Sequence, residues 1–313
     1  MTDKKILLLC NNKIALPALK ELVFYKQVAA IFIPANNKEV ITEAKEFIEE
    51  SNSDTTVISI TKKTFIESIK DAITIHQPIA VIMMTFPYII TEELLALPPK
   101  GFINFHYGKL PQYRGAEPVF AQVVQQEKEP ALTVHVVDKE IDSGGIILQQ
   151  PVVYSQDDTY ASLQSKLANA GAMVIGSVMK ILSFGKFIPA VQQDESKASY
   201  HSKPTAADLM IDWDTMPSHK IKALVNACNP WNKGCGAKIN NTVFGITEVE
   251  ILDRRNYPIL KSGTITCLNY VEGLLVCTCD EKLVKINIIY TVNGFQSGYK
   301  LESYGIKSGD SFQ

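Results

Sequence analysis

The sequence predicts an α/β fold: a Rossmann-like, mostly parallel sheet followed by a small C-terminal antiparallel β-barrel of the OB kind. Three observations carry this. Short, continuous apolar runs alternate with amphipathic helical patterns through the first third of the chain, the signature of parallel strands covered on both faces. Past residue 208 the pattern changes to short strands punctuated by turn residues, as in small barrels. An irregular polar stretch from Gln192 to Pro204 lies between them and predicts domains at 1–205 and 206–313.

Lys5 to Cys10 reads as a strand buried on both faces, and Ala15 to Lys26 as a helix with Leu16, Leu19, Leu22 and Val23 at helical spacing. Val28 to Ile33 is a strand, Glu39 to Glu50 a charged helix, Thr56 to Ile60 a strand and Lys63 to His76 a helix. Ile79 to Met84 is the next apolar run. Thr91 to Leu97 is a short helix stopped by Pro98 and Pro99. Gly101 to His106 continues the strand series, Glu117 to Gln126 is helical, and Leu132 to Val137 and Ile146 to Tyr154 are strands. Asp157, Asp158 and Thr159 supply capping side chains for a long helix from Tyr160 to Phe184. In the second domain Met210–Trp213 reads as a strand and Ser218–Cys228 as a helix ended by Asn229-Pro230-Trp231. Strands follow at Cys235–Ile239, Thr242–Leu252, Ser262–Leu268, Gly273–Cys279 and Leu283–Tyr290.

Composition bounds the function. The 313 residues are 46% hydrophobic and 20% charged with a net charge of −2, so there is ample core and no global basic field for nucleic acid. The longest apolar runs are read as strand-length, and Met1-Thr2-Asp3-Lys4-Lys5 leads into only about six apolar residues, too few for a signal peptide or a membrane span, which predicts a cytoplasmic protein with no membrane partner. The six cysteines are scattered without a C-x-x-C pair, which predicts free thiols and no metal. The first βα turn, Cys10 to Ala15, has no glycine, which argues against a dinucleotide site, and no phosphate-loop motif occurs.

The chemistry concentrates where Gly101–His106 gives way to a proline- and glycine-rich loop. Asn104 and His106 stand two residues apart on a strand and so share one face. Downstream, the turn Asp138 to Gly145 offers carboxylates, of which Asp142 is the expected partner, with Asp138 and Glu140 competing. Arg114 binds an anion or pins its loop. His135 reads as a core residue, and His76, His201 and His219 as solvated; Trp213 and Trp231 read as packing at the domain junction. An amide, an imidazole and a carboxylate without a placed serine or cysteine nucleophile point to acyl transfer by direct attack. Asn104 donates to an oxyanion, a cationic His106 stabilises it, and Asp142 orients the ring and helps remove a proton.

At these residues the chain resembles the folate-dependent formyltransferases that act on methionyl-tRNA or amino sugars. The matching text is Asn104-x-His106, Leu110-Pro111-x-Tyr113-Arg114-Gly115-Ala116-x-Pro118 and Asp138-x-x-Ile141-Asp142-Ser143-Gly144. Ile211-Asp212-Trp213, Asn229-Pro230-Trp231 and the terminal Gly309-Asp310-Ser311-Phe312 extend it over nearly the whole chain. The resemblance implies the formyltransferase fold, a 10-formyltetrahydrofolate donor, a primary amine acceptor and a triad of Asn104, His106 and Asp142. It implies a pterin pocket lined by Phe86, Tyr88, Ile89, Gly108, Lys109, Leu110, Pro111, Val137, Asp138 and Ile141. Members that act on tRNA carry a long basic loop after the second strand; here Pro34-Ala35-Asn36-Asn37-Lys38 runs almost directly into a helix. The first βα turn also lacks the family's usual glycine. These departures favour a small or carrier-linked amine, such as a nucleotide-linked amino sugar or an aminoacyl group, over initiator Met-tRNA. A hydrolase that uses water as acceptor, and a non-catalytic binding module, are the rival readings.

Overall fold

The computed structural model describes residues 5–184, 187–229, 233–253, 257–258 and 260–313. It divides into two compact units. The first is built from the segments up to Pro118, Glu129–Val153 and Gln164–His201; the second takes 119–128, 154–163 and the chain from Ser202 onward.

In the first unit the strands are β1 (Ile6–Cys10), β2 (Val28–Pro34), β3 (Thr56–Ile60), β4 (Val81–Met84), β5 (Phe102–His106), β6 (Arg114–Gly115), β7 (Ala131–Val136), β8 (Ile146–Pro151) and β9 (Tyr200–His201). The helices met along the same stretch of chain are α1 (Leu16–Phe24), α2 (Lys38–Glu50), α3 (Phe65–His76), α4 (Glu92–Leu95), α5 (Pro118–Val124) and α6 (Tyr160–Phe184). The seven-stranded sheet runs β3-β2-β1-β4-β5-β7-β8. Its first five strands are parallel, and β7 and β8 add on antiparallel. Every residue of β1, β2 and β4 is buried, which is why these strands read as unbroken apolar runs rather than alternating ones.

The strand order reverses between β1 and β4, the switch point at whose carboxyl side ligands bind in open α/β sheets. Only Ala35, Asn36 and Asn37 separate β2 from α2. Asn37 caps the helix by accepting from the Val40 N–H, and its amide donates to the Asn11 carbonyl of the first βα turn. The short connection expected after Pro34 is therefore tied through Asn37 both to α2 and to the first βα turn.

Register at β5 positions the site. Asn104 pairs with His135 and His106 with Thr133 across β7, so four polar side chains share one face. Thr133 uses its whole hydroxyl on the loop beyond β5 and on Gln149 of β8. It donates to the Gly108 carbonyl (2.6 Å) and accepts from the Leu110 N–H (3.2 Å) and the Gln149 amide (2.9 Å). Gln149 also donates to the Leu110 carbonyl at 3.0 Å. Gly108 is required by close approach: a Cβ there would stand 2.8 Å from His106 Nε2 and 2.6 Å from the Pro118 Cβ.

The second unit holds α7 (Ser218–Cys228) and an antiparallel sheet of β10 (Cys235–Ile239), β11 (Thr242–Leu252), β12 (Ile265–Asn269), β13 (Gly273–Cys277), β14 (Leu283–Thr291) and β15 (Gly294–Ser297). These follow the order β10-β11-β14-β13-β12, with β15 on β14. Trp213 is buried and stacked on Phe312 (centroids 5.2 Å apart), while Pro230 and Trp231 lie outside the described residues.

Two expectations need correction. Met210–Trp213 is not a strand: Met210 makes one isolated bridge to Gly236, and Asp212 then accepts from the N–H groups of Asp214 and Thr215, which turns the chain away. The apolar stretches are also not all strand-length. Among the described residues α6 is the one helix long and apolar enough to cross a membrane; half of its most apolar stretch is buried, as in a core helix.

Replacing Thr133 by Val is expected to leave the Leu110 N–H and the Gly108 carbonyl without their partner. Urea denaturation should register a loss of about 1–3 kcal/mol. Thr133→Ser, which keeps the hydroxyl, should lose much less.

Candidate active site

Three chain segments meet on the polar face of β5. The first is β5 itself with Asn104 and His106. The second is the loop Tyr107–Gly115 that follows it. The third is the turn Asp138–Gly145 between β7 and β8. Asp142 lies at the meeting point with φ +56°, a backbone conformation uncommon for a residue with a side chain. The turn is held by Ser143 Oγ, which donates to Asp138 Oδ1 (2.6 Å), and by the Glu140 N–H, which donates to the same oxygen.

The Asp142 carboxylate accepts from the Gly115 N–H (2.9 Å) and from Asn104 Nδ2 (3.4 Å). His106 Nδ1 lies 3.5 Å from Oδ2 and His135 Nε2 3.6 Å from Oδ1. The expected trio of Asn104, His106 and Asp142 is thus brought together, and Asp142 rather than Asp138 or Glu140 is the carboxylate concerned. Asp138 is exposed and serves the turn.

The hydrogen bonds fix both imidazole tautomers, because a carbonyl can only accept. His106 Nε2 lies 2.6 Å from the Tyr113 carbonyl, so Nε2 carries the proton and Nδ1 presents its lone pair in the neutral ring. His135 Nδ1 donates to the Val136 carbonyl (2.8 Å), which leaves its Nε2 free to accept from Asn104 Nδ2 (3.2 Å). The Asn104 amide is therefore held between an imidazole lone pair and a carboxylate.

Burial pushes His106 below its ordinary 6.5, against the pull of the Asp142 carboxylate, with the nearby His135 adding to the depression. The cost of burying a cation outweighs the pull of one carboxylate at 3.5 Å and favours the neutral ring, which reaches the expected cationic form by taking up a proton. For Asp142 burial works upward, but the facing His106, His135 and the Gly115 N–H outweigh it and hold the carboxyl well below the usual carboxylate range.

Arg114 is a pin, not a free anion site. It is fully buried and donates to Gln193, to both carboxylate oxygens of Glu195 and to Tyr200. His201, expected to be solvated, is half-buried and stacked on Tyr113 at 5.4 Å. His135 is buried as expected, yet it is also a member of the polar cluster; only the pairing of β5 with β7 reveals this. Among the described residues no group of three His, Cys, Asp or Glu side chains is set to hold a metal.

Of the residues expected to line a pterin pocket, Phe86, Tyr88 and Val137 are half-buried and pack against one core cluster, with Phe65 4.9 Å from the Tyr88 ring. Ile89 (75% exposed) and Ile141 (56% exposed) stand out from the surface as large apolar side chains. Gly108 and Leu110 are buried, Pro111 is half-buried, and Lys109 lies 3.6 Å from Glu129.

Comparison with known proteins agrees with this fold and motif set. Residues 32–179 match the formyl transferase family and residues 203–293 the formyl transferase C-terminal domain. The methionyl-tRNA formyltransferase of Caldanaerobacter subterraneus subsp. tengcongensis is 33% identical over 226 residues, 71% of this chain and 68% of that protein. That of Fusobacterium nucleatum is 26% identical over 90% of both. An N-formyltransferase from Helicobacter canadensis, solved with folinic acid and dTDP-3-aminofucose, shares the fold with a TM-score of 0.67 at 18% identity, over 90% of this chain and 98% of that one. The chain belongs to the formyl transferase family. It is an enzyme of the one-carbon transferase class.

The two shifted groups predict how stability follows pH. His106 is depressed, so the unfolded chain binds a proton near 6.5 that the folded chain resists; stability is present above that pH and falls as the pH drops through it. Asp142 is depressed from 3.8, so its contribution is lost below about that value. Thermal melts should decline from pH 6.5 downward and more steeply below 4, and Asp142→Asn should flatten the lower limb.

Proposed function

We propose that this chain moves the formyl group of 10-formyltetrahydrofolate to a primary amine by direct attack, with Asn104, His106 and Asp142 as the catalytic residues. The observation that carries the reading is the convergence of Asn104 and His106 on Asp142, at 3.4 and 3.5 Å, at the carboxyl end of β5. Two further observations fit it. The Cys10 thiol at the end of β1 is pushed up to about 12 by burial, and the Ser143 hydroxyl is spent on its own turn, so neither is an activated nucleophile. The half-buried Phe86, Tyr88 and Val137, with the exposed Ile89 and Ile141, offer apolar side chains suited to a pterin ring.

The folate supplies the formyl carbon on its N10 nitrogen and receives a proton there as that bond breaks. The chain does the rest. The anionic Asp142 attracts the acceptor ammonium to the site. The ammonium gives one proton to solvent before it attacks; neutral His106 then takes the amine's second proton on the Nδ1 lone pair, the carboxylate 3.5 Å away stabilises the imidazolium, and that proton passes to N10 as the formyl–N10 bond breaks. Asn104 turns an N–H from its long 3.4 Å contact with Asp142 to the oxygen on which charge develops. His135 keeps the amide oriented, because its tautomer is fixed from behind by the Val136 carbonyl.

For the acceptor we favour a small or carrier-linked amine, such as a nucleotide-linked amino sugar. The support is the three-residue connection between β2 and α2, tied by Asn37, and the pairing of Lys13 in the first βα turn with Glu39 and Glu43, which leave little free positive charge there for phosphates. A second reading, initiator Met-tRNA, is favoured by the names of the sequence relatives.

Assays with 10-formyltetrahydrofolate should show transfer to a dTDP-linked amino sugar and weak transfer to Met-tRNA. The reverse, at physiological salt, would overturn the acceptor assignment while leaving the donor chemistry intact. Asn104→Ala should lower kcat by about 10²–10³-fold, and His106→Ala by about 10²–10⁴-fold, both in folded protein. Full activity in either variant would remove that residue from the mechanism.

A further inference from the structure

The segment leading into β9 carries a side chain that touches both halves of the site. Gln193 is buried, and every hydrogen-bonding capacity of its amide is used. Its Nε2 donates to the Asp142 carbonyl (2.7 Å) and to the Gly144 carbonyl (2.8 Å). Its Oε1 accepts from Arg114 Nε (3.2 Å) and Nη2 (2.9 Å). One amide therefore spans the turn that carries the carboxylate and the strand β6 that follows the Tyr107–Tyr113 loop.

What flanks those two attachment points is the other half of the observation. Next to Arg114 on one side, the Tyr113 carbonyl holds His106 Nε2; on the other, the Gly115 N–H holds Asp142 Oδ2. The two acceptors that face the two nitrogens of His106 are thus carried on segments joined by Gln193. Asp142 keeps its φ of +56°, a conformation that persists where surrounding contacts over-determine it. Gly144 sits so close to β7 that a Cβ would fall 1.9 Å from the Val136 carbonyl, so the turn is clamped from that side as well. Arg114 is held in turn by the bidentate Glu195 (2.9 and 2.6 Å) and by pairing of β6 with β9.

We propose that Gln193 is a positioning residue, locked by Arg114 and Glu195, that sets the Asp142 carboxylate against His106. For its kinetic effect the proposal rests on the formyl-transfer reading; its geometric content does not.

The test uses the full-length chain and two readouts, formyl-transfer kinetics and ¹⁵N NMR titration of His106. Gln193→Met keeps the approximate length and removes all four hydrogen bonds. Its kcat should fall by about 10²-fold while KM for 10-formyltetrahydrofolate stays within about twofold. Its His106 midpoint should move down, because the carboxylate that holds it up has drawn away. Glu195→Gln acts from a side chain that is 66% exposed and so keeps the fold; it should shift both readouts the same way by a smaller amount. If Gln193→Met does not fold, Glu195→Gln decides alone. An unmoved His106 midpoint in a folded variant overturns the proposal, whether or not activity has changed. If the wild type moves formyl to no amine, the proposed function fails, and the His106 titration still decides the positioning role.

Discussion

The structure depends on one largely enclosed anion, Asp142. Leaving a carboxylate unpaired inside a protein costs several kcal/mol, so Asp142, whose side chain is only 11% exposed, needs its partners around it. It accepts from the backbone N–H of Gly115 and the amide of Asn104, and the imidazoles of His106 and His135, each within 3.6 Å, stabilise it when they take up a proton. Those partners come from β5, β6 and β7. Gathering them explains the loop architecture: Thr133 and Gln149 pin the segment after β5, Ser143 closes the turn before Gly144, and Gln193 ties that turn to Arg114.

Burial also sets the protonation states that chemistry near neutral pH requires. The same low-dielectric surroundings that disfavour a cationic His106 make the Asp142 charge more effective over 3.5 Å than it would be in water. An imidazole that rests neutral and has a carboxylate ready to stabilise its cation is arranged to accept a proton rather than hold one. Asn104, with its two N–H groups on long contacts of 3.2 and 3.4 Å, is arranged to give one of them up.

Much of this was legible in the sequence where the signal is local. The strands β1, β2 and β4 are buried on both faces and announce themselves as apolar runs. Asn104 and His106 share a face by strand periodicity alone, and the Asp-Ser-Gly text around Asp142 marks a turn. What was not legible depends on pairings far apart in the chain. His135 joins the site only because β5 pairs with β7 in a register that sets it opposite Asn104. Gln193 lies in a stretch with no periodicity, and the two-residue strands β6 and β9 are too short to leave any. The misread strand at Met210–Trp213 shows the converse: an apolar run is overridden when Asp212 captures the next backbone N–H groups.

The most direct measurement is a crystal structure of the chain with a hydrolysis-stable folate analogue that carries its formyl group on N10. The formyl group is expected beside Asn104 and His106, with a polar atom of Asn104 within about 3.2 Å of the formyl oxygen and the pterin against Phe86, Tyr88 and Val137. Folate bound elsewhere, or with its formyl group turned away from Asp142, would contradict the proposed reaction.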